Sequence, residues 1–352
     1  MKKLLYMVAL TLVAGACMNK VPVDFGEVEP KLVMNAQLES REGEQLIYLS
    51  ESSQVSLKPV HGAEVTVYVD GKPLATAREV EAEDIPNKSP NAAAYSFLGG
   101  FPVGSQVKVS AKKGSWDAWA QADVLPPPSI SAVDTLRTQE QEMAGDFEYT
   151  EEVFHVKISF KDLPGDNFYQ VGVLAYKQVT MVDAKGETRE KLYYENLSMS
   201  GSSDPVLGGA TAGMSIFDLG KSYLVFSDEM FRDQEYTLRL SVPAELLSSA
   251  MLDWNREFIP VYFLTTTTLV PWLECISREE YDYMSALNNL ENFGYTSQVI
   301  VEPTTIPSNV NGGLGFLAVR SRTQAASMEL PVVRTDLYFD PTFPQSEQNA
   351  GQ

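Results

Sequence analysis

From Lys31 to Val124 the chain is written in short stretches in which every second residue is apolar. Leu32-Val33-Met34-Asn35-Ala36-Gln37-Leu38, Gln45 to Ser50, Glu64 to Asp70 and Gln106 to Ala111 all follow this pattern over much of their length, and turn residues part them. A period of two sends alternate side chains to opposite faces, so each stretch reads as a strand with one face in a core and one in water. Asp70-Gly71 follows Val65-Thr66-Val67-Tyr68-Val69 and is a two-residue hairpin signal, since both central positions of that turn want positive φ. About seven strands at this spacing predict an immunoglobulin-like or transthyretin-like β-sandwich over residues 29–125.

Pro126-Pro127-Pro128 closes that block. Three prolines fix φ and donate nothing to a ladder, so they predict an extended connector to a second unit, 129–340. Residues 136–152, polar and acidic, read as a long hairpin loop, and strands are expected at Val153–Phe160, Phe168–Ala175, Leu192–Asn196, Tyr223–Ser227, Tyr236–Val242, Phe258–Thr267, Gln298–Glu302 and Gly315–Ser321. Pro243 to Met251 reads as a short helix with proline where its missing N–H does no harm. A better helix starts at Ser277, where Ser277-Arg278-Glu279-Glu280 has the form of a capping box and Tyr281, Met284 and Leu287 to Leu290 follow at helical spacing. The fold class is therefore mainly β, a sandwich followed by a larger β-rich domain with one or two short helices. Ala82–Asn91 is expected to be a mobile loop and 341–352 a disordered tail.

The first residues set location. Lys2, Lys3, an apolar run from Leu4 to Val13 and the small residues Ala14-Gly15-Ala16 precede Cys17, the pattern of a bacterial lipoprotein leader. On this reading 1–16 is removed, Cys17 is the lipidation site, and 17–28 is a tether. Several acyl chains at about 0.8 kcal/mol per buried methylene make such an anchor stable. The apolar run falls short of the roughly 20 residues a spanning helix needs. Ala14 stands where such leaders usually carry Leu or Val, and secretion after ordinary cleavage is the alternative.

Charge and residue types narrow the chemistry. With 27 basic and 47 acidic side chains the net charge is −20, a surface that repels phosphate backbones, so nucleic acid is excluded as a partner. Once Cys17 is acylated, Cys275 is the remaining cysteine and no internal disulfide can form. In Trp-Leu-Glu-Cys-Ile it reads as a buried apolar residue in preference to a nucleophile. His61 precedes a strand and His155 lies inside one, so one falls in each unit and a two-histidine zinc site would need a domain interface. No Gly-x-Ser-x-Gly elbow, phosphate loop, dinucleotide fingerprint or calcium loop occurs, and Gly209-Ala210-Thr211-Ala212-Gly213 is only a glycine-rich stretch. Asp228-Glu229 and Glu279-Glu280 flank aromatic residues as a glycosidase pair would, yet solvated turn and helix-start positions account for both. Trp116, Trp119, Trp254 and Trp272 could stack on sugars or peptides, with core packing as the default. No catalytic residue, metal ligand or cofactor is assigned.

Several blocks carry a resemblance. Glu29-Pro30-Lys31-Leu32-Val33, Leu49-Ser50-Glu51-Ser52, Val60-His61-Gly62-Ala63-Glu64-Val65, Gly165-Asp166-Asn167-Phe168-Tyr169, Phe226-Ser227-Asp228-Glu229-Met230-Phe231, Ser277 to Tyr283, and Ser308-Asn309-Val310-Asn311-Gly312-Gly313-Leu314-Gly315-Phe316 resemble Bacteroidota lipoproteins of domain-of-unknown-function family 4249. The likeness covers nearly the whole mature chain. It implies a neighbour, because such proteins are often encoded beside TonB-dependent outer-membrane transporters, and it brings no catalytic residues. Asn309, Gly312, Gly313 and Gly315 are expected to be structural, at turns that need positive φ.

The expectation is an outer-membrane lipoprotein, anchored through Cys17 at the cell surface. It would capture a peptide or glycan ligand, or serve a TonB-dependent β-barrel as an accessory subunit without bond chemistry. The alternatives are a structural or adhesive surface subunit and a surface glycan or peptide hydrolase. Met18-Asn19-Lys20, in place of acidic residues after the cysteine, leaves the face of the membrane open.

Overall fold

The structure, a computed structural model, describes residues 29–53, 56–81, 91–144, 147–182, 188–201, 203–208, 223–248, 261–294 and 306–330. The leader 1–16, Cys17, the tether 17–28, positions 82–90 of the expected loop, Gly209 to Gly213, Trp254, the strand expected at Gln298–Glu302 and the expected tail 341–352 lie outside the described residues.

The period-two text becomes strands where it was read. They are β1 (Leu32–Glu39), β2 (Gly43–Glu51), β3 (Lys58–Pro59), β4 (Glu64–Val69), β5 (Lys72–Val80), β6 (Ala93–Gly99), β7 (Gln106–Lys113) and β8 (Trp116–Asp123). Asp70 (φ 49°) and Gly71 (φ 76°) supply the two positive dihedrals that turn β4 into β5. Every second residue goes inward, Val65 and Val67 from β4 and Val107, Val109 and Ala111 from β7, all fully buried. Tyr95 ties this core to the chain entering β4, donating to Val60 O at 2.8 Å and accepting from Ala63 N at 2.9 Å.

The remaining elements are β9 (Ser129–Ala144), β10 (Phe147–Lys161), β11 (Phe168–Val182), β12 (Thr188–Asn196), α1 (Pro205–Gly208), β13 (Leu224–Ser227), β14 (Glu235–Pro243), α2 (Ala244–Ser248), β15 (Val261–Ile276), α3 (Arg278–Gly294), β16 (Leu314–Arg320), β17 (Arg322–Gln324) and β18 (Met328–Leu330). The protein is mainly β and sandwich-like. One sheet runs β14-β10-β9; another runs β12-β11-β15-β17, with β13 on β11 and β18 on β15. Between them lies a core of Phe154, Val156, Ile158 and Phe160 against Tyr169, Val171, Val173, Leu269 and Leu273. Its densest part is aromatic, with Phe160 edge-on to Tyr169 at 5.2 Å and to Phe231 at 5.6 Å.

Residues 136–152 are not a loop. Apart from the undescribed 145–146 they complete two long strands in register from Phe147↔Ala144 to Lys161↔Ser129, with one irregularity at Ser159/Phe160. Polar side chains misled the reading because that ribbon extends beyond β14, whose pairing begins at Val153, and among the described residues no third strand pairs with it. The helix expected from Pro243 is Ala244–Ser248, with Pro243 closing β14. At α3, Ser277 Oγ accepts from Glu280 N at 3.1 Å as a cap should. The other half of the capping box is missing, since the Glu280 carboxylate turns to Arg320.

The nine-stranded first sheet runs β16-β1-β2-β6-β5-β4-β7-β8, with β3 on β2. Its end strand β16 was read with the second unit, yet it pairs parallel with β1 from Val33↔Leu314 to Glu39↔Arg320. Trp119 and Asn311 exchange backbone hydrogen bonds of 3.0 and 2.7 Å, which brings both ends of the sheet together. Val310, Leu317 and Val319 thereby join the core of Leu32, Met34 and Ile47. Nothing local in an apolar strand names its partner, so this return could not be read from the chain.

The block from Ser308 to Phe316 has a structural role, but positive φ explains only part of it. Gly312 (φ 74°) and Gly315 (φ 110°) have it; Gly313 is required by contact instead, since a Cβ there would lie 2.5 Å from Leu32 O. Asn309 acts through its side chain, which donates to Leu317 O (2.8 Å) and accepts from Leu317 N (2.9 Å) in the manner of a neighbouring strand. At Gly315 a Cβ would sit 2.1 Å from Met34 O. Gly315→Ala is expected to destabilise the protein by at least about 1–3 kcal/mol, the scale of a strained dihedral alone, in urea unfolding. Wild-type stability would contradict the close approach of β16 to β1.

Candidate functional site

The histidines stay apart, and each is held locally. His61 lies before β4 with Nδ1 2.5 Å from Glu79 Oε1, and Glu79 Oε2 accepts from Gly62 N at 2.7 Å. His155 projects from β10, where Nε2 lies 2.7 Å from Thr138 Oγ1 and 3.1 Å from Glu140 Oε1. A hydroxyl, an imidazole and a carboxylate in contact invite comparison with a nucleophile, base and orienting acid. Both contacts use the same ring nitrogen, however, whereas a proton relay needs one partner on each. Among the described residues no group of three or more metal-ligating side chains occurs.

The carboxylates behave otherwise than their sequence setting suggests. Asp228 is buried, not solvated, and its Oδ2 accepts from Asn167 N at 2.8 Å, fixing the turn into β11. Glu229 and Glu279 are exposed. Asp162 is also buried; it accepts from Tyr169 Oη (2.6 Å) and Asp233 N (2.7 Å). Cys275 packs in the second core as expected, and burial pushes its thiol up to about 12. Trp116 packs against the first core; Trp119 carries the Lys108 ammonium 4.5 Å from its ring centre. Trp272 is buried beneath the Arg322 guanidinium, which lies 3.8 Å from its ring centre.

Glu280 leads to a place where several buried charges converge. β11, β15 and β17 set Gln170, Glu274 and Arg322 side by side, as the pairs Gln170↔Glu274 and Glu274↔Arg322 show. Their neighbours Tyr169, Val171, Leu273 and Cys275 point into the second core, so alternation turns these polar side chains to the opposite face. There α3 lays Met284 against Val225 and Ile276, and Tyr283 stacks on Phe316 of β16 at 4.5 Å. Into this seam β16 delivers Arg320, with Nε 3.6 Å from Glu274 Oε1 and 3.4 Å from Glu280 Oε1. Arg322 Nε reaches Glu274 Oε2 at 3.3 Å.

The side chains of Glu274 and Glu280 are 0% and 5% exposed, and that of Arg320 is 10% exposed. Loss of water raises the Glu280 carboxyl to about 7, with the Arg320 charge opposing and the Glu274 charge reinforcing the shift. Burial likewise raises Glu274, against the pull of Arg320 and Arg322. Gln170 Oε1, Trp272 Nε1, Glu274 Oε1, Arg320 Nη2 and Ser321 Oγ are buried without hydrogen-bond partners. The seam is thus a charged junction between the first sheet and the second unit, closed to a polymeric substrate by its burial.

Of its charged members only Glu280 was singled out from the sequence. The signal for Glu274 was nonetheless present, since a carboxylate at an alternating position inside Val-Pro-Trp-Leu-Glu-Cys-Ile must find a cation or stay neutral. Arg320→Met is expected to cost about 3–5 kcal/mol, because it strands the buried Glu280 carboxylate and leaves Glu274 with Arg322 alone; equilibrium unfolding measures it, and a change below about 1 kcal/mol would deny the pair its role. Cys275 should resist a thiol reagent at pH 8 until the protein unfolds. Rapid labelling of the native protein would contradict its burial.

No curated protein matches the chain. Among solved structures, a DUF4785 family protein from Legionella pneumophila aligns at 9% identity over 69% of this chain and 51% of that one, so the chain spans about half its length. The TM-score is 0.19, and that likeness carries no argument. The family model described as "Domain of unknown function (DUF4249)" matches residues 18–326, and the protein belongs to that family.

Proposed function

We propose that the protein is an outer-membrane lipoprotein, anchored at the cell surface through Cys17, that captures a peptide or glycan ligand or caps a TonB-dependent β-barrel as an accessory subunit. The observation that carries this reading is the leader, Lys2-Lys3 followed by an apolar run and Ala14-Gly15-Ala16-Cys17, in a chain whose family match begins directly after it at residue 18. Work by binding is supported by the ties of the reactive groups: Cys275 in a core, His61 on Glu79, His155 through a single nitrogen, and the Glu274 and Glu280 carboxylates enclosed with Arg320. A hydrolase would need its two carboxylates in an open cleft.

A structural or adhesive subunit is the second reading, and one observation favours it. Within the described residues β12 ends its sheet, and on it Leu192 and Tyr194 are 62% and 70% exposed. An edge strand with exposed apolar side chains is a template for pairing with another copy. Sedimentation across a range of concentrations would reveal such assembly.

Detergent extraction of the native protein, affinity capture and mass spectrometry test the first reading. A co-purifying β-barrel and an acylated Cys17 peptide are the expected results, and Cys17→Ser should release the protein from membranes. A monomer without a barrel, or an unmodified thiol on an intact leader, would overturn it.

A further inference from the structure

The seam has a property that neither the anchor nor barrel docking requires. Glu280 is the first-turn carboxylate of α3 whose capping role is given up to face Arg320, and Arg320 is shared with Glu274. The charged and titratable groups around it are Glu274 from β15, Arg320 from β16, Arg322 from β17, Tyr283 from α3 itself, and Glu39 of β1, the register partner of Arg320. Arg322 is committed to Glu274 and to the Trp272 ring. Arg320 therefore serves two enclosed carboxylates, and one of its own nitrogens, Nη2, is left without a partner.

We infer that the seam is a proton-operated latch: protonation of Glu280 holds the β16 edge of the first sheet against α3 and β15, and its ionisation loosens that contact. The reason is solvation. In the closed seam an ionised Glu280 has half of one guanidinium and little exposure to solvent, with the Glu274 charge beside it; in an opened seam water solvates all the charges. A protonated Glu280 loses little on enclosure, so the closed arrangement binds the proton more tightly than the open one. The raised carboxyl of Glu280 in the closed state agrees with this direction. By linkage, closure is complete below the ordinary glutamate range and weakens as pH rises toward and through the raised value.

Three further contacts surround the seam. Tyr283 stacks on Phe316, Ser40 N donates to Arg320 O at 2.8 Å, and Thr323 Oγ1 donates to Pro128 O at 2.5 Å in the triple-proline connector. Three covalent crossings, that connector, the chain between α3 and β16, and Ser321 between β16 and β17, remain when the seam opens, so the latch adjusts a junction without releasing it.

Amide hydrogen exchange on the full chain between pH 5 and pH 8, corrected for the intrinsic rate at each pH, tests the latch. The seam probes are the amides of Glu280 to Asn288 and Phe316 to Val319, with Val107 to Ala111 of β7 as an internal reference. Seam protection in the wild type is expected to fall by about tenfold or more relative to β7 as pH rises, a factor of ten for each unit of differential proton affinity. Glu280→Gln, which mimics the protonated group, should keep its pH 5 protection at pH 8. A wild-type ratio that does not change with pH overturns the latch whether or not the variant folds, and so does a Gln variant that retains the wild-type slope.

Discussion

One stretch of chain serves two sheets. Leu314–Arg320 lies parallel to β1 at the rim of the first sheet, and after the single residue Ser321 the same stretch continues as Arg322–Gln324 on β15. Most of what distinguishes this molecule from two sandwiches on a string follows from that passage. The first sheet lacks an end strand and part of its core until the chain returns from far away; Phe316 N donates to Asn35 Oδ1 across 281 residues of sequence. A contact of such separation is entropically costly to close and is repaid only when the buried area is large.

The passage also explains why charge is buried at the junction. A strand leaving one sheet for another must turn its last side chains into the gap between them, and here those side chains are Arg320 and Arg322. Enclosing Glu274 and Glu280 with them stabilises little in absolute terms, because desolvation offsets the attraction. What the arrangement supplies is selectivity: an apolar seam would tolerate sliding, while a guanidinium between two carboxylates accepts one register of β16 against α3. Asn309 clipping Leu317 and Gly315 pressed on Met34 O fix the same register from the other side.

The β character of both units was legible because alternation is a local signal, and so were the turn at Asp70-Gly71 and the start of α3 at Ser277. What failed had a long-range cause in each case. The ribbon formed by the far ends of β9 and β10 looked like loop because its sequence is polar and it runs beyond the end of β14. Asp228 and Glu280 looked solvated because their partners, Asn167 and Arg320, lie 61 and 40 residues away. Gly313 and Gly315 were seen to be structural, but the backbone that crowds them comes from β1, which the turn argument could not supply. Parallel pairing of β16 with β1 had no local signature at all. For function, the family blocks were readable, while the seam needed four strands and a helix brought together.

The two β units are held together by the stretch Leu314–Gln324, which pairs with β1 on one side and with β15 on the other. The most direct measurement is on residues 29–128 expressed alone, followed by thermal unfolding and amide exchange at Val65, Val67, Val107 and Val109. Without Val310, Leu317, Val319 and the β16 ladder, the isolated segment should melt broadly and leave those amides unprotected. A sharp cooperative transition with native-like protection would contradict the dependence of the first sheet on the returning strand.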